Sequence, residues 1–416
     1  MQKNENRPGY KKTKVGWIPE GWEESTMEDI AQIERGKFSA RPRNDPQFYG
    51  GKFPFLQTGD VSTSDGIVNG YSQTLNERGL TVSRLFPSGT LLITIAANIG
   101  DIAEVPFEFA CPDSLVAVQP NAKSHRLWLK YFLLTKKEYF ESKATQNAQA
   151  NINLQTIRPA VVQLPPLPEQ EAIAGVLECW DGGIRNLELK IVKKRLIKKG
   201  LMQKLLSGQT RLPGFSNVWK TVKLGQICDI RRGASPRPIK DPKWFSDTGR
   251  GWVRISDVTK TKKYLTKTTQ YLSPEGEGKS VKVDPGELIM SICATIGVPR
   301  IVDVPVCVHD GFVLFQNLQS VGVQFLFHAL TEKTDKLSGQ GQPGTQKNLN
   351  TDIVNRIPLQ LPPLEEQQAI AEVLRAADGE IDALEKKLVL WKDQKKYLLN
   401  NLVTGSIRLP EFRKAS

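Results

Sequence analysis

Apolar residues recur at alternating three- and four-residue steps over two long stretches of the chain. Leu177, Trp180, Ile184, Leu187, Ile191, Leu201 and Leu205 mark the first, interrupted by Lys194 and Lys198. Leu374, Ala377, Ile381, Leu384, Leu388, Trp391, Leu398 and Leu402 mark the second, interrupted only by Lys395. A heptad stripe held this long predicts a coiled-coil helix. Pro165-Pro166 and Pro362-Pro363 suit the approach to such a helix, and Glu169 or Glu365-Glu366 in the first turn complements its dipole. Gly208 and Gly405 are C-terminal stops. At 1.5 Å per residue each helix would make a rod roughly 60 Å long. Between these stretches, short apolar runs opened by glycine, Gly89 to Ile95 and Gly286 to Ile292, read as strands, as do Val116 to Val118 and Val313 to Phe315. Leu127 to Phe140 and Val323 to Leu337 read as helices, and Ser338 to Thr345 as a loop.

The chain repeats itself. Leu164-Pro165-Pro166-Leu167, Glu169-Gln170 and Ala172-Ile173-Ala174 recur 197 residues later as Leu361-Pro362-Pro363-Leu364, Glu366-Gln367 and Ala369-Ile370-Ala371. The offset continues through Asp181/Asp378, Ile184/Ile381 and Gly208/Gly405 to Arg211-Leu212-Pro213/Arg408-Leu409-Pro410. Upstream it is sparser: Trp22/Trp219, Gly36/Gly233, Asp60-Val61/Asp257-Val258, Ile99-Gly100/Ile296-Gly297, Asp113/Asp310, and Gln149-x-Asn151-x-Asn153/Gln346-x-Asn348-x-Asn350. One unit is therefore used twice, each time as a variable domain followed by a long helix. The boundaries follow as 1–160 for an N-terminal segment and first variable domain, 161–210 for the first helix, 211–357 for the second variable domain and 358–416 for the second helix and tail. The variable domains read as mixed α+β. Each helix alone would expose its stripe, so the simplest arrangement is an antiparallel pair that buries both and sets the two domains at opposite ends. Trp180 has Ala377 as its counterpart and Trp391 has Lys194, large-for-small swaps that suit pairing between unlike helices. Separate coiled coils with other chains are the alternative.

Composition narrows the class. With 57 Lys+Arg against 44 Asp+Glu among 416 residues, the chain carries a formal charge of +13, which points to a polyanionic partner. No apolar run approaches the roughly 20 residues of a membrane span, and Met1 to Arg7 is polar, unlike a signal peptide, so the expected location is the cytoplasm. Cys111, Cys179, Cys228, Cys293 and Cys307 are scattered, which argues against a disulfide framework or a zinc site and for buried, reduced thiols.

The two variable domains, each followed by a helix introduced by Leu-Pro-Pro-Leu-x-Glu-Gln-x-Ala-Ile-Ala and closed by Leu-x-x-Gly-x-x-Arg-Leu-Pro, resemble the DNA specificity subunit of type I restriction-modification enzymes from about Trp17 to Phe412. The resemblance implies two pseudo-twofold-related target-recognition domains, each reading one half of a split, asymmetric double-stranded DNA site. It implies that the helices set the unread spacer and dock two methyltransferase subunits, through which motor-nuclease (restriction) subunits join. It implies S-adenosylmethionine as cofactor of the methyltransferase partner and none in this chain. It also implies a circular arrangement with Gly405 to Phe412 near Gly16 to Trp22. Helix pairing and partner docking would fall to Leu177, Trp180, Ile184, Leu187, Ile191, Leu374, Ile381, Leu384, Leu388, Trp391 and Leu398.

Phosphate neutralisation needs Lys and Arg, while base reading favours Arg on guanine and Asn or Gln on adenine. The second domain offers Arg231, Arg232, Arg237, Lys240, Lys243, Arg250, Arg254, Lys260, Lys262, Lys263 and Lys267, with Trp244 and Trp252 interleaved. The first offers only Lys37, Arg41, Arg43 and Lys52 before Arg78, so the two should grip DNA unequally. The Gln-x-Asn-x-Asn motifs are tempting adenine readers. Their presence in both copies instead favours a backbone cap, because domains that read different sequences should differ where they read. The basic run Lys190, Lys193, Lys194, Arg195, Lys198 and Lys199 would face DNA, an acidic partner or solvent.

Catalytic motifs fail on inspection. Gly276-x-Gly278-Lys279-Ser280 lacks the earlier glycine of a phosphate loop, where Ser273 stands. Asp113, Glu141 and Lys143 suggest a metal nuclease, but the second copy has Ser338 and Gln340 in place of the last two. His125, His309 and His328 have no clustered acid or thiol companions, and no Asn/Asp-Pro-Pro-aromatic motif is present. The expectation is a non-catalytic reader, with a coiled-coil scaffold that reads no DNA as the alternative.

Overall fold

The computed structural model describes residues 8–144, 151–339 and 349–413, the side chains of Asp335, Ser338 and Gly339 excepted. The chain forms two compact units, Met1–Leu187 with Lys387–Ser416, and Glu188–Lys386. These units cut across the linear boundaries drawn from the repeat, because each takes half of both long helices, Leu167–Leu206 and Leu364–Leu402. Both helices start two residues after the first proline of their Pro-Pro pair. The chain then leaves through Gly208 and Gly405, which hold φ of +75° and +70°, a left-handed turn that glycine adopts without steric cost.

Within each unit the two half-helices run antiparallel. In the first, Ile173, Ala174 and Leu177 share a core with Leu402 and Val403, while Leu398 packs against it. In the second, Met202 and Leu205 pack with Ile370 and Leu374. The predicted stripe is the buried one: Leu177, Ile184, Leu187, Ile191, Leu374 and Ile381 are buried, and Trp180, Leu384, Leu388, Trp391 and Leu398 are half-buried. A fully buried Leu such as Leu177 or Leu374 contributes roughly 2 kcal/mol by leaving water. The lysines that interrupt the stripe have a reason. Lys395 pairs with Asp181 in the first unit, and in the second Lys198 reaches Asp378 at 2.5 Å and Lys194 reaches Glu380 at 2.6 Å.

Each unit carries two sheets of four or five strands beside its helices, in addition to two-stranded ribbons. In the first, an antiparallel sheet runs in the order Ala31–Arg35, Leu115–Pro120, Thr90–Thr94, Ile102–Val105. A smaller sheet holds Gln73–Leu75, Tyr49–Phe55, Phe109–Ala110 and Leu85–Phe86. The second unit repeats the larger sheet as Asp229–Arg232, Phe312–Gln316, Leu288–Ser291 and Pro299–Val302, and adds Tyr264–Leu265 at its edge. Its smaller sheet is Gln270–Leu272, Phe245–Val253, Val306–Val308, Val281–Val283. The central strands are buried on both faces, which is why they read as continuous apolar runs. The expected helix at Leu127 to Phe140 is two, Arg126–Thr135 and Lys137–Ala144, broken at Lys136; its counterpart Val323–Gly339 is unbroken. The expected loop from Ser338 lies mostly outside the described residues, and its first two positions end that helix.

The repeated motifs explain themselves in three dimensions. Glu169 is buried at the helix start, where it accepts from Trp22 Nε1 at 2.9 Å and from Arg408 Nε and Nη2 at 2.8 and 2.6 Å. In the second unit Glu366 takes the same partners, Trp219 Nε1 at 2.9 Å and Arg211 Nε and Nη2 at 2.6 and 2.7 Å. The bidentate arginine and the indole supply the hydrogen bonds that a buried carboxylate requires. Gln170 and Gln367 each donate to the carbonyl of the first proline of the pair, Pro165 or Pro362, at 2.8 Å, and accept from a loop N–H, His125 at 2.7 Å or Gly322 at 2.9 Å. Gly405 packs on Pro19 and Trp22, so the C-terminal segment meets the N-terminal one, as the circular arrangement requires. Asn153 and Asn350 cap short helices by accepting from Thr156 N–H at 3.1 Å and Ile353 N–H at 2.8 Å, in keeping with their structural reading. Asn151 bridges Ala96, whereas Gln149, Gln346 and Asn348 lie outside the described residues.

All five cysteines are free thiols, and only Cys111, Cys228 and Cys307 are buried; Cys293 is half-buried and Cys179 is exposed on the first long helix, contrary to the expectation of five buried thiols. Among the described residues no helix is long and apolar enough to cross a membrane.

Candidate nucleic-acid interface

The expected contact residues divide into free, tethered and occupied groups. Lys37, Arg231, Lys240, Lys260 and Lys267 are exposed. Arg231 and Arg232 are adjacent on one strand, so they point to opposite faces of its sheet. Arg41 donates to the Ala40 carbonyl at 2.7 Å, and Lys52 meets Glu77 at 3.0 Å with both side chains about three-quarters exposed. Lys243 lies 4.4 Å over the Trp244 ring and 3.3 Å from Asp241. Arg250 is half-buried and held by Asp284 at 2.7 Å. Lys262 and Lys263 are engaged away from this surface. Lys262 bonds Asp382 at 2.6 Å and also Glu385 on the second long helix, and Lys263 sits 5.4 Å over Phe327, where burial depresses its pKa.

Two arrangements recur in both units. Asp113 and Asp310 stand in the turn that leads into a central strand, and their carbonyls accept from the Nε of Arg35 and Arg232 respectively. Their carboxylates each take a second arginine from a different place in the sequence, Arg43 at 2.9 Å in the first unit and Arg237 at 3.2 Å in the second. Ser235 also donates to Asp310 at 2.6 Å, and this bond is the main cause holding the Asp310 carboxyl below its ordinary range.

The second arrangement lies at the start of a five-residue helix, Thr58–Ser62 or Ile255–Thr259. Asp60 accepts from the Gln57 N–H at 2.7 Å and from Ser72 Oγ at 3.4 Å. Asp257 accepts from the Arg254 N–H at 2.9 Å and from Thr269 Oγ1 at 3.0 Å. On this shared frame the outer side chains differ. Gln57 Nε2 donates to Gln73 Oε1 at 3.0 Å, whereas Arg254 Nε donates to Gln270 Oε1 at 2.6 Å. The repeat had marked Asp60 and Asp257 but not Gln57, Gln73 or Gln270. The offset of 197 would have found them: Gln73/Gln270 is an identity at that step, and Gln57/Arg254 a difference. In the second unit the two arrangements adjoin, since Asp310 and Arg254 both act on the charge of His309, whose pKa burial lowers.

The rejected phosphate loop is a structural turn: Ser273 Oγ accepts from Gly276 N–H at 3.2 Å, and a Cβ on Gly276 would lie 2.4 Å from the Trp244 carbonyl oxygen. Among the described residues no group of three or more His, Cys, Asp and Glu side chains is placed to hold a metal ion.

Comparison with known proteins identifies two copies of the type I restriction modification DNA specificity domain, over residues 19–193 and 217–389. A Methanocaldococcus jannaschii protein provisionally named as the MjaX type I restriction enzyme specificity subunit is 27% identical over 426 residues, covering 96% of this chain and 97% of that protein. The MjaVIII specificity subunit of the same organism is 25% identical, covering 94% of each. In fold, the chain is similar to the HsdS subunit from Thermoanaerobacter tengcongensis, with a TM-score of 0.54, 18% identity, and coverage of 94% of this chain and 98% of that one. A chain from a structure of the type I R-M system gives a TM-score of 0.67 at 18% identity, covering 94% and 99%.

Proposed function

Because the chain belongs to the type I restriction-modification DNA specificity family, we propose that its two units read the two unlike halves of one asymmetric DNA site and leave the bases between them unread. The chain is the recognition subunit, not the catalytic one. The observation that carries the half-site reading is a frame kept in both units with different side chains on it, Gln57 with Gln73 in one and Arg254 with Gln270 in the other. Two copies of one fold with unlike tips suit two unlike half-sites. Exposed cations, Lys37 in the first unit and Arg231 and Lys240 in the second, would supply the sequence-independent grip on phosphate.

In this reading partner docking falls to helix residues outside the predicted stripe. The heptad positions are spent on pairing. Leu189, Val192 and Leu196 in the second unit, and Val389, Leu390 and Tyr397 in the first, are exposed by 51–64%, an apolar strip in each unit suited to a methyltransferase subunit, of which two would bind. Those subunits would use S-adenosylmethionine and flip the target adenine out of the duplex. Restriction subunits would join through them, in the cytoplasm where the DNA is. The experiment is a methylation map with the cognate methyltransferase subunits, before and after residues 39–160 are exchanged for those of a relative. One half of the recognised sequence should change and the other should stay. Modification at the same sites after the exchange, or no bipartite footprint, would defeat this reading in favour of a scaffold.

A further inference from the structure

We propose that Gln57 and Arg254 read the base at the same place in the two half-sites, Gln57 an adenine and Arg254 a guanine. The inference rests on the half-site reading above and deepens it to single residues.

Position is the first argument. Gln57 and Arg254 occupy the same step of the repeat, each anchored by its own backbone N–H on the aspartate three residues on. The aspartate is in turn held by a hydroxyl from the neighbouring segment, Ser72 or Thr269. A backbone fixed this way in both units gives the side chain a defined origin, so that changing the residue changes what is read and not where. Gln57 and Arg254 are half-buried, and their partners Gln73 and Gln270 are exposed.

The second argument is stereochemical. The bond from Gln57 to Gln73 uses one of the two N–H groups of the Gln57 carboxamide. Its Oε1 and remaining N–H match the N6 donor and N7 acceptor of adenine in the major groove. The bond from Arg254 to Gln270 uses Nε, which leaves both terminal amino groups of the guanidinium side by side. That fork matches O6 and N7 of guanine. The glutamine partner has the same role in both units. It fixes the rotation of the reading group before DNA arrives, which lowers the entropy lost on binding.

Four other arginines differ, either in their partner or in being alike in both units. Arg43 and Arg237 bond carboxylates, and a base edge would have to compete with a charge. Arg35 and Arg232 also keep a free fork by spending Nε on a backbone carbonyl, but they are the same residue at the same step of the repeat and so do not distinguish unlike half-sites.

The test uses the full chain assembled with its cognate methyltransferase subunits and a duplex library randomised through both half-sites, read by sequencing the bound fraction. Arg254→Gln should switch the preferred base at one position of one half-site from guanine to adenine by roughly tenfold and leave the other half-site untouched. Gln57→Arg should make the converse switch in the other half-site. Arg254→Lys, which keeps the charge but loses the fork, should flatten the preference at that position without creating a new one. Unchanged base preferences in Arg254→Gln and Gln57→Arg, with a wild-type site that is bipartite, would overturn this assignment and leave the half-site reading standing. Weakening that is uniform across all sequences and eases at low salt would also overturn it, since that is a phosphate contact. A wild type that selects no bipartite site would remove both.

Discussion

Where the two long helices cross, both units keep a Lys–Asp pair, Lys395–Asp181 and Lys198–Asp378. Beside it the first unit packs aromatic rings where the second sets a further ion pair. In the first, Trp180 and Trp391 meet edge to face at 5.8 Å, and the Trp391 ring lies over Gly183, where a Cβ would come within 3.0 Å of it. Beside them Tyr131 donates to Asp181 at 2.7 Å. One repeat later the same positions hold Ala377, Lys194, Glu380, His328 and Asp378. The Trp-over-Gly contact has become the Lys194–Glu380 ion pair, and His328 is buried with neither ring nitrogen bonded. A cavity of about 900 Å³ opens beside the Lys198–Asp378 pair, bordered by Met202, Phe327 and Tyr264. The difference teaches how a duplicated helix selects its partner. Pairing the first helix with another copy of itself would set Lys194 over Gly183, and pairing the second with itself would set Trp391 against Glu380. Each mismatch leaves a charge or a bulky ring without its complement, so the unlike pair is favoured. The large-for-small swaps at Trp180/Ala377 and Trp391/Lys194 follow from this.

Several measurements would break or sharpen that contrast, beginning with what the two units share. Glu169→Ala should have the largest effect. It strands Arg408 and the Trp22 indole, at a cost of about 3 kcal/mol or more in denaturant unfolding, with lost protection in hydrogen exchange confined first to the first unit. Glu366→Ala should act in the same direction on the second. Equal behaviour of these anchors is required if the divergence lies only at the crossing.

Next comes the crossing itself. Trp391→Ala should lower stability by about 2 kcal/mol through lost packing, whereas Lys194→Ala, which removes a partly exposed ion pair, should cost less than about 1 kcal/mol. Similar losses would mean that the two crossings are not energetically different.

A third test uses pH. Burial, reinforced by Lys263 and Lys198, lowers the His328 pKa from 6.5 to about 3. Between those values the unfolded chain binds a proton that the folded one does not, so the stability of the second unit should fall as pH drops from about 6.5 toward 3. His328→Tyr restores the residue of the first unit and should remove that part of the slope, seen as a flatter dependence of the unfolding midpoint on pH.

The smallest expected effect concerns the DNA grip. Arg231→Ala and Lys240→Ala should each weaken binding to all sequences and reduce the salt slope by about 0.9 if the side chain meets one phosphate. Lys52→Ala, already neutralised by Glu77, should change the slope less.

Much of the fold was legible because two kinds of pattern are local. The heptad stripe marked the buried face of both long helices from Leu177 to Leu402, and the offset of 197 exposed the duplication. The Glu-Gln motif was visible as a repeated string, but its reason was not. Glu169 acts on Trp22 and Arg408, which stand 147 and 239 residues away, and no local pattern carries that. The basic residues were legible only as charge. Lys262 and Lys263 look like neighbours of Lys260, yet the fold turns Lys262 to Asp382 and lays Lys263 on Phe327, and only the register of distant segments decides this. Gln57 was invisible because a lone glutamine carries no periodicity and no charge.

The sequence by itself determined the duplication, the two helices with their apolar faces and caps, and the family, since these follow from spacing along one strand of chain. The tertiary structure decided which cations are free, which heptad crossing packs rings and which sets a further ion pair, which apolar residues remain outside the helix pair, and which side chains stand on the frame shared by the two units. Those properties depend on what a residue meets elsewhere in the chain, from Ser72 on Asp60, 12 positions apart, to Arg408 on Glu169, 239 apart, and such meetings are set by packing.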